Sequence, residues 1–309
     1  MKKTVGKKAP KRSASNARSI KFSNLEKVLY PAAGFTKGQV IDYYRQIAPI
    51  ILPYLRDRPL TLKRYPNGVD EEFFYEKRCP SFKPAWMATA HIPSERQGFI
   101  DYCVIDSIEG LLWIANLASL ELHTLLFRAQ KPDRPTMMVF DLDPGPPADL
   151  LDCLNVAIRI REMFSHMGLE IFPKTSGGKG LHIYVPLNTA VTFDQTKTFA
   201  RHIALLLEKD SPQKVLSKMS RAQRSGKVFV DWSQNDSHKT TVCPYSLRAR
   251  KEPTVSTPVS WKEIESAMKK KNADSLVFRT DEVVKRIDKI GDLFEPVLKM
   301  KQRLPALKT

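Results

Sequence analysis

The chain has 309 residues, enough to bury a large core in one big domain or two lobes. Hydrophobic residues make up 42% and charged residues 27%, a globular balance that excludes a wholly disordered chain. Fifty Lys and Arg against 33 Asp and Glu give a formal charge of +17, so nucleic acid is the expected partner; no cationic amphipathic helix stands out to favour a membrane surface.

In chain order, residues 1–21 carry eight Lys or Arg and no acid, and read as a basic disordered tail that adds nonspecific attraction to DNA or does nothing. No apolar core follows it, so it is not a secretory signal. Val40, Tyr43, Tyr44, Ile47 and Ile51 recur at helical spacing, which predicts a helix over 37–55 with Pro53 ending the pattern. Short strands either side of Pro66 and Phe73, and again around 99–106, predict a β-rich amino-terminal lobe. The longest apolar stretch, Leu111 to Phe127, is interrupted by Asn116, Glu121 and His123. It is too polar to span a bilayer, and is read as a long buried helix over 110–127. A soluble, intracellular protein is expected.

The run Met137-Met138-Val139-Phe140-Asp141-Leu142-Asp143-Pro144 is the most informative segment. On a strand, alternate residues share a face, so Asp141 and Asp143 aim at one spot about 6.6 Å apart. Two hard divalent cations suit such a pair. A solvated turn start before Pro144-Gly145-Pro146-Pro147 is the plainer reading of the pair alone. A helix over 148–167 then leads to Leu169-Glu170-Ile171-Phe172 and the loop Ser176-Gly177-Gly178-Lys179-Gly180, followed by the strand-like Leu181-His182-Ile183-Tyr184-Val185. Three glycines in four positions let a backbone approach an anion, with the Ser176 hydroxyl, the Lys179 charge and the His182 imidazole beside it. The spacing is not that of a Walker A loop, and a strand follows where that motif has a helix. A helix over 192–210 precedes Val228-Phe229-Val230-Asp231, a third apolar run ending on a carboxylate. Asp231 either completes a three-carboxylate cluster or caps a turn. Helices over 260–271 and from Asp281 close the chain.

This pattern gives an α+β fold with helices packed on one face of a catalytic sheet. Cys79, Cys103, Cys153 and Cys243 form no C-x-x-C pair, which argues against a disulfide framework and a structural zinc site, and they are taken as reduced packing residues. Two cations on Asp141, Asp143 and Asp231, with Ser176, Lys179, His182 and Arg248 holding phosphates, would serve nucleotidyl transfer.

The order Asp141-Leu-Asp143-Pro, Ser176-Gly-Gly-Lys-Gly-Leu-His182, Asp231-Trp-Ser-Gln-Asn resembles the polymerase domain of bacterial DNA ligase D, within the archaeo-eukaryotic primase superfamily. The likeness begins near Asn24-Leu25-Glu26-Lys27 and runs through Leu62-Lys63-Arg64-Tyr65-Pro66-Asn67-Gly68, Phe74-Tyr75-Glu76-Lys77, Glu121-Leu122-His123 and Tyr245-Ser246-Leu247-Arg248, roughly nine tenths of the chain. It implies a primase-like catalytic sheet with flanking helices, a β-rich N-terminal lobe over 22–130, a catalytic lobe with C-terminal helices over 131–309, the two in one compact polymerase domain, and no zinc module. It further implies a template-directed enzyme that fills gaps and extends 3′ ends at double-strand breaks. Two Mn²⁺ or Mg²⁺ ions would serve as cofactors, and a nucleoside triphosphate, often a ribonucleotide, as substrate. His123 and Gln234 match positions near the incoming nucleotide's sugar and phosphates. Lys27 and Lys37 match residues that grip the 5′-phosphate of broken or gapped double-stranded DNA, and Lys63 a nearby DNA contact. Phe74 and Tyr75 match an aromatic pair that stacks on template bases, although Phe73-Phe74-Tyr75 leaves open which two rings face the DNA. A Ku-type end-binding protein and a DNA ligase are implied partners, in the cytoplasm at the nucleoid.

No Lys-x-Asp-Gly adenylation motif of the ligase kind is present, so nick sealing is not expected of this chain. It reads as a free-standing polymerase, slightly favoured by Met1, or as a fragment of a multidomain ligase. A metal-dependent nuclease and a non-catalytic DNA-end-binding module are the competing readings.

Overall fold

The structure, a computed structural model, describes residues 18–94 and 97–306. Most of the expected tail, residues 1–17, lies outside the described residues. Within 18–21, Arg18 pairs with Asp106 at 3.0 Å and Ile20 packs against the core.

In chain order the strands and helices are β1 (Val28–Tyr30), β2 (Phe35–Thr36), α1 (Lys37–Leu55), β3 (Leu60–Arg64), β4 (Phe74–Glu76), β5 (Thr89–Ser94), β6 (Gly98–Cys103), α2 (Ile108–Asn116), β7 (Ser119–Leu125) and β8 (Met137–Pro144). They continue as α3 (Leu150–His166), β9 (Phe172–Thr175), β10 (Leu181–Pro186), α4 (Phe193–Asp210), β11 (Val215–Leu216), β12 (Val228–Asp231), β13 (Thr240–Val242), α5 (Trp261–Lys270), α6 (Thr280–Ile290) and α7 (Pro296–Lys299).

Two sheets organise the molecule. A five-stranded sheet has the order β11-β12-β8-β10-β9, antiparallel except between β11 and β12. A six-stranded antiparallel sheet has the order β13-β7-β3-β6-β5, with β4 also paired to β3. β13 follows β12 in sequence yet joins β7, so the chain returns to the first sheet after building the second.

The period of two along β8 decides what each face does. Met138, Phe140 and Leu142 are fully buried against α3, α4 and α5, in a core that includes Phe164, Phe199 and Ile264. Phe140 meets Phe164 at a ring separation of 5.7 Å, and Phe164 meets Phe199 at 6.1 Å. On the opposite face, Met137 and Val139 join a second core with α1, α2, β3 and β7, leaving Asp141 and Asp143 at the carboxyl end of the strand. This is an α+β fold with helices on one face of the catalytic sheet.

Helix α1 begins on a capping box: Thr36 Oγ1 accepts from Gln39 N, and Gln39 Oε1 accepts from Thr36 N at 2.7 Å. It runs from Lys37 to Leu55 as expected, with Pro49 and Pro53 both inside the helix. The helix expected over 110–127 is a shorter α2 followed by β7. A tight turn with Ala118 at φ +56° separates them. Helical spacing of the apolar residues fails after Asn116, where Leu120 and Leu122 alternate with Glu121 and His123 in the period of a strand.

The expectation of four reduced cysteines is also corrected. Cys79 and Cys103 form a disulfide with Cα atoms 4.8 Å apart, because the segment after β4 docks on β6 through a Cys79 N–H to Asp101 O bond of 2.7 Å. Cys153 and Cys243 are free and buried. Among the described residues no helix is long and apolar enough to cross a membrane.

Phe164→Ala should cost about 3–5 kcal/mol, because it empties the junction of α3, α4 and β8. Urea unfolding measures this as a lowered midpoint at unchanged slope. A loss under about 1 kcal/mol would mean that the helical layer does not pin β8.

Candidate active site

The three carboxylates converge through strand register. Asp141 on β8 is paired with Asp231 on β12 and with His182 on β10, and His182 is paired with Lys174 on β9. Four ionisable residues therefore form one row across four strands, with neighbouring Cβ atoms about 4.5–5.5 Å apart. Asp143 stands two residues further along the same face, opposite Phe229.

Each carboxylate has different company. His182 Nε2 lies 3.2 Å from Asp141 Oδ1, and Lys174 Nζ lies 3.1 Å from His182 Nδ1 and 2.6 Å from Ser256 Oγ. Asp231 Oδ1 accepts from Ser233 N at 2.9 Å and Ser233 Oγ at 2.6 Å, and Oδ2 accepts from Gln234 Nε2 at 3.1 Å. Asp143 Oδ2 accepts from Arg224 Nη1 at 3.1 Å.

Burial pushes the Asp141 carboxyl up, but His182, Lys174 and Arg248 together outweigh it and hold the group below its ordinary range. Burial, followed by the Asp141 charge, raises Asp143. Burial also raises Asp231, with the Asp141 charge adding to it against the Ser233 hydrogen bonds. Burial lowers Lys174 to about 7, and lowers His182 to about 4 with help from Lys174. Two carboxylates raised beside a third that stays ionised is the electrostatics of a site that favours added positive charge.

Among the described residues no three His, Cys, Asp or Glu side chains already stand as a coordination shell; the carboxylate oxygens hold protein donors instead. The donor set still suits a hard divalent cation. It consists of carboxylate oxygens on one sheet face, next to the Gln234 amide oxygen, which is buried without a partner.

The glycine loop between β9 and β10 supplies the opposite charge. Ser176 Oγ accepts from Gly178 N and Gly180 N, both at 3.1 Å, which winds the loop around the hydroxyl. Gly177 has φ +69°, and a Cβ there would come within 2.6 Å of Arg248 Cγ. Gly180 packs so tightly that a Cβ would collide with the Leu142 carbonyl. Arg248 Nη1 donates to Ser176 O at 2.9 Å, fixing the guanidinium over the loop. A cleft of about 620 Å³ opens here, lined by Asp141 and Asp143 together with Lys179, Arg248 and Arg250; Asp231 does not line it. A larger cavity of about 810 Å³ lies between the start of α4 and residues 301–306, away from the carboxylates.

The third part of the site hangs on Glu121, which is only 2% exposed. His123 Nε2 lies 2.9 Å from Glu121 Oε2; Ala249 N donates to Oε1 at 3.0 Å, and Arg248 Nε and Lys63 Nζ lie 3.3 and 3.9 Å from it. Burial raises the Glu121 carboxyl, yet the His123 hydrogen bond and the Arg248, His123 and Lys63 charges bring it down to about 2. Burial holds His123 below its ordinary range despite Glu121.

Glu121, Arg224 and Arg250 were not among the sequence-predicted site residues. The alternation of Arg248 and Arg250 was the available signal for Arg250. Nothing local marks Arg224, which reaches Asp143 across 81 positions of sequence.

The chain matches the family model described as LigD, primase-polymerase domain, over residues 36–294. It belongs to that family. It is 42% identical over 280 residues to the multifunctional non-homologous end joining protein LigD of Mycolicibacterium smegmatis, covering 90% of this chain and 36% of that protein. It is 30% identical over 273 residues to the bifunctional non-homologous end joining protein LigD of Bacillus subtilis, covering 88% of this chain and 43% of that protein. The chain thus spans well under half the length of these curated relatives. Among solved structures it is similar to the polymerase domain from Mycobacterium tuberculosis ligase D in complex with DNA. The TM-score is 0.84 at 39% identity, covering 92% of this chain and all of that one.

The residues that the sequence assigned to DNA occupy two places on this LigD primase-polymerase domain. Lys63 lies across from Tyr75 on β4, with its ammonium 4.0 Å from the Phe73 ring centre and 5.5 Å from that of Tyr75. Phe74 faces the other way, 5.1 Å from the Arg64 guanidinium. Phe74 and Tyr75 therefore do not share a face; Phe73 and Tyr75 do, and Tyr75 also lines the cleft. Lys27 and Lys37 sit around the start of α1. Lys27 Nζ donates to Asn67 Oδ1 at 2.8 Å and Lys37 Nζ to Ser23 O at 2.7 Å. Burial lowers Lys37, and the charge of Lys27 lowers it further.

Glu121 has a folded pKa of about 2 against an ordinary 4.5, so its contribution is complete above 4.5 and fades as pH falls toward 2. Glu121→Gln should cost about 3–5 kcal/mol near neutral pH by leaving Arg248 and Lys63 uncompensated. The acid limb of the urea midpoint against pH should flatten between those two values. Parallel acid limbs for the two proteins would exclude Glu121 as the anchor.

Proposed function

We propose that this domain is a template-directed nucleotidyltransferase that fills gaps and extends 3′ ends at double-strand breaks, with a preference for ribonucleoside triphosphates. The observation that carries this reading is the row Asp231-Asp141-His182-Lys174, with Asp141 and Asp143 lining the same cleft as Lys179, Arg248 and Arg250. A nuclease needs the carboxylates but has no use for a triphosphate cradle opposite them.

Asp141, Asp143 and Asp231 are the residues that would hold two Mg²⁺ or Mn²⁺ ions. When bound, these ions supply activation of the primer 3′-hydroxyl and neutralisation of the triphosphate. The protein's own part is to position and hold charge. Lys179 takes the phosphate oxygens, the glycine loop gives the backbone its close approach, and Arg248 adds a planar guanidinium fixed in advance by Glu121 and Ser176 O. Such preorganisation spares reorganisation when the 3′-oxygen attacks the α-phosphorus and pyrophosphate departs. His123 and Gln234, both on the cleft wall, face the nucleotide sugar and phosphates. The preference for ribonucleotides rests on the family resemblance.

The Phe73 and Tyr75 rings with Lys63 form a stacking surface for template bases, and Lys27 with Lys37 forms the pocket for a recessed 5′-phosphate. A Ku-type end-binding protein would deliver broken DNA, and a ligase activity outside these residues would seal the product. The domain would work where the bacterial DNA is, in the cytoplasm at the nucleoid.

Asp141→Ala and Asp231→Ala should each lower primer extension on a 5′-phosphorylated gapped duplex by at least about 10²–10³-fold while leaving DNA affinity largely intact. Extension retained by purified Asp141→Ala protein would defeat the assignment, and labelled DNA cut in metal without nucleotide would favour the nuclease.

Removing the 5′-phosphate from the gap should weaken binding of the wild-type protein, and Lys27→Ala should lose that sensitivity. Fluorescence anisotropy at several salt concentrations reads both effects. Equal affinity of the wild type for phosphorylated and unphosphorylated gaps would remove the pocket.

A further inference from the structure

Strand β3 gives its second edge to two neighbours in succession. Cys103 of β6 is paired with Leu60, while Glu76, Tyr75 and Phe74 of β4 are paired with Leu62, Lys63 and Arg64. Strand β4 therefore runs toward a position that β6 already holds, and the chain has to leave the edge just after Glu76. It crosses onto β6, where the Cys79–Cys103 disulfide fastens it.

Little else holds the chain at that point. None of residues 71–78 is buried, Cys79 is the first buried residue after β4, and the segment 77–88 contains no helix or strand. Arg64 pairs with Glu76 at 3.0 Å, which ties β4 to β3 but not the residues that follow. The noncovalent ties onto β6 are the Cys79 N–H to Asp101 O bond of 2.7 Å and two contacts of Arg78, to Phe99 O at 3.1 Å and to Asp101 Oδ2 at 3.6 Å. Arg78 is exposed, so its ion pair contributes little. The covalent bond is the firmest local tie, and Tyr75 and Lys77, just before it, line the cleft.

We propose that Cys79–Cys103 is a reversible redox site, open to exchange with dithiols, that sets how firmly the Tyr75–Lys77 wall of the cleft is held for DNA. The proposal rests on the reading of that wall as a DNA-binding surface in a cytoplasmic enzyme, a compartment where disulfides are usually transient and redox-sensing. A thiolate of the dithiol attacks Cys79, which is 8% exposed against 1% for Cys103; the S–S bond breaks, and Cys103 leaves as a thiolate and takes a proton. The second thiolate of the reductant then attacks its own sulfur in the mixed disulfide, and Cys79 leaves and takes a proton. Two electrons pass to the protein, the reductant becomes a disulfide, and its two protons end on Cys79 and Cys103. Reduction leaves the β3–β4 pairing in place and frees the segment after it, so DNA must order that segment on binding, which costs affinity.

The test equilibrates wild-type protein over a range of oxidised to reduced dithiothreitol ratios, then quenches, denatures and alkylates it. Mass spectrometry should count two free cysteines, Cys153 and Cys243, at the oxidising end and all four at the reducing end. Amide exchange over 77–88 should quicken on reduction while β8 and β10 stay unchanged. Affinity for the 5′-phosphorylated gapped duplex, read by anisotropy without metal, should fall about tenfold on reduction. By reciprocity, saturating duplex should make the potential of the couple about 30 mV more negative. Cys79→Ser should bind as the reduced protein does at every ratio.

Four free cysteines at every ratio would overturn the redox site, and so would a bond that the native protein keeps at the reducing end and loses only when denatured. Equal affinity of the two forms for the duplex, or unchanged exchange over 77–88, would overturn the coupling. These measurements use wild-type protein, so a Cys79→Ser variant that fails to fold does not shield the proposal. A protein that makes and breaks the bond and loosens 77–88, yet binds no DNA in either form, would sink the polymerase reading and leave the redox site standing.

Discussion

The antiparallel register of β8 with β10 and β12 is the constraint on which the rest depends. A strand slipped by one residue turns every side chain to the opposite face, so Asp141 and Asp143 would enter the helical core and Met138, Phe140 and Leu142 would line the cleft. The apolar set prevents this, because all three residues are fully buried against α3, α4 and α5. The carboxyl end of β8 is held as well. Gly180 packs on the Leu142 carbonyl at one neighbour, and Gly145 N donates to Lys227 O at 2.9 Å on the other. Hydrophobic packing on one face thus places charge on the other, although no charged residue takes part in that packing.

The two sheets meet chemically at Arg248. Its side chain pairs with Glu121, which belongs to the six-stranded sheet, and donates to Ser176 O in the loop of the five-stranded sheet. Ala249 N, the next backbone donor, also goes to Glu121. One buried carboxylate therefore sets where the guanidinium stands relative to the glycine loop, and so where a phosphate would meet it. The energetic cost of burying Glu121 is offset only because four positive or hydrogen-bonding partners, His123, Ala249 N, Arg248 and Lys63, surround it.

Much of this was legible in the sequence, for a physical reason. Apolar runs ending in carboxylates declare both strand and site, since the same period of two that makes Phe140 internal makes Asp141 face the other way. The helices over α1, α3, α4 and α5 were legible because each has a long amphipathic stripe. The stretch from Leu111 to Phe127 was not, because its first half is a short all-apolar helix and its second half a strand with buried Glu121, and hydrophobicity alone merges them. The disulfide was hidden because Cys79 and Cys103 are brought together by the docking of a loop on β6, which leaves no mark on their spacing. Arg224 and Lys174 were invisible for a related reason: their roles depend on partners across strands, and one basic residue among 50 carries no signal of its own.

The company of the three carboxylates follows a common logic. Asp141 is held by an imidazole and Asp231 by a hydroxyl, a backbone amide and a side-chain amide, groups that orient an oxygen without placing a Lys or Arg directly on it. Asp143 alone has a cation as partner, and that pair is open to water, with Asp143 54% exposed. Exposed pairs of this kind contribute about 0–1 kcal/mol, so the Arg224 contact is easily exchanged. The arrangement fixes the geometry of the acidic cluster firmly and its charge balance only weakly. A site built to receive cations and an anionic nucleotide needs that combination: the orientation is present beforehand, and the neutralising charge is left for the ligands to bring.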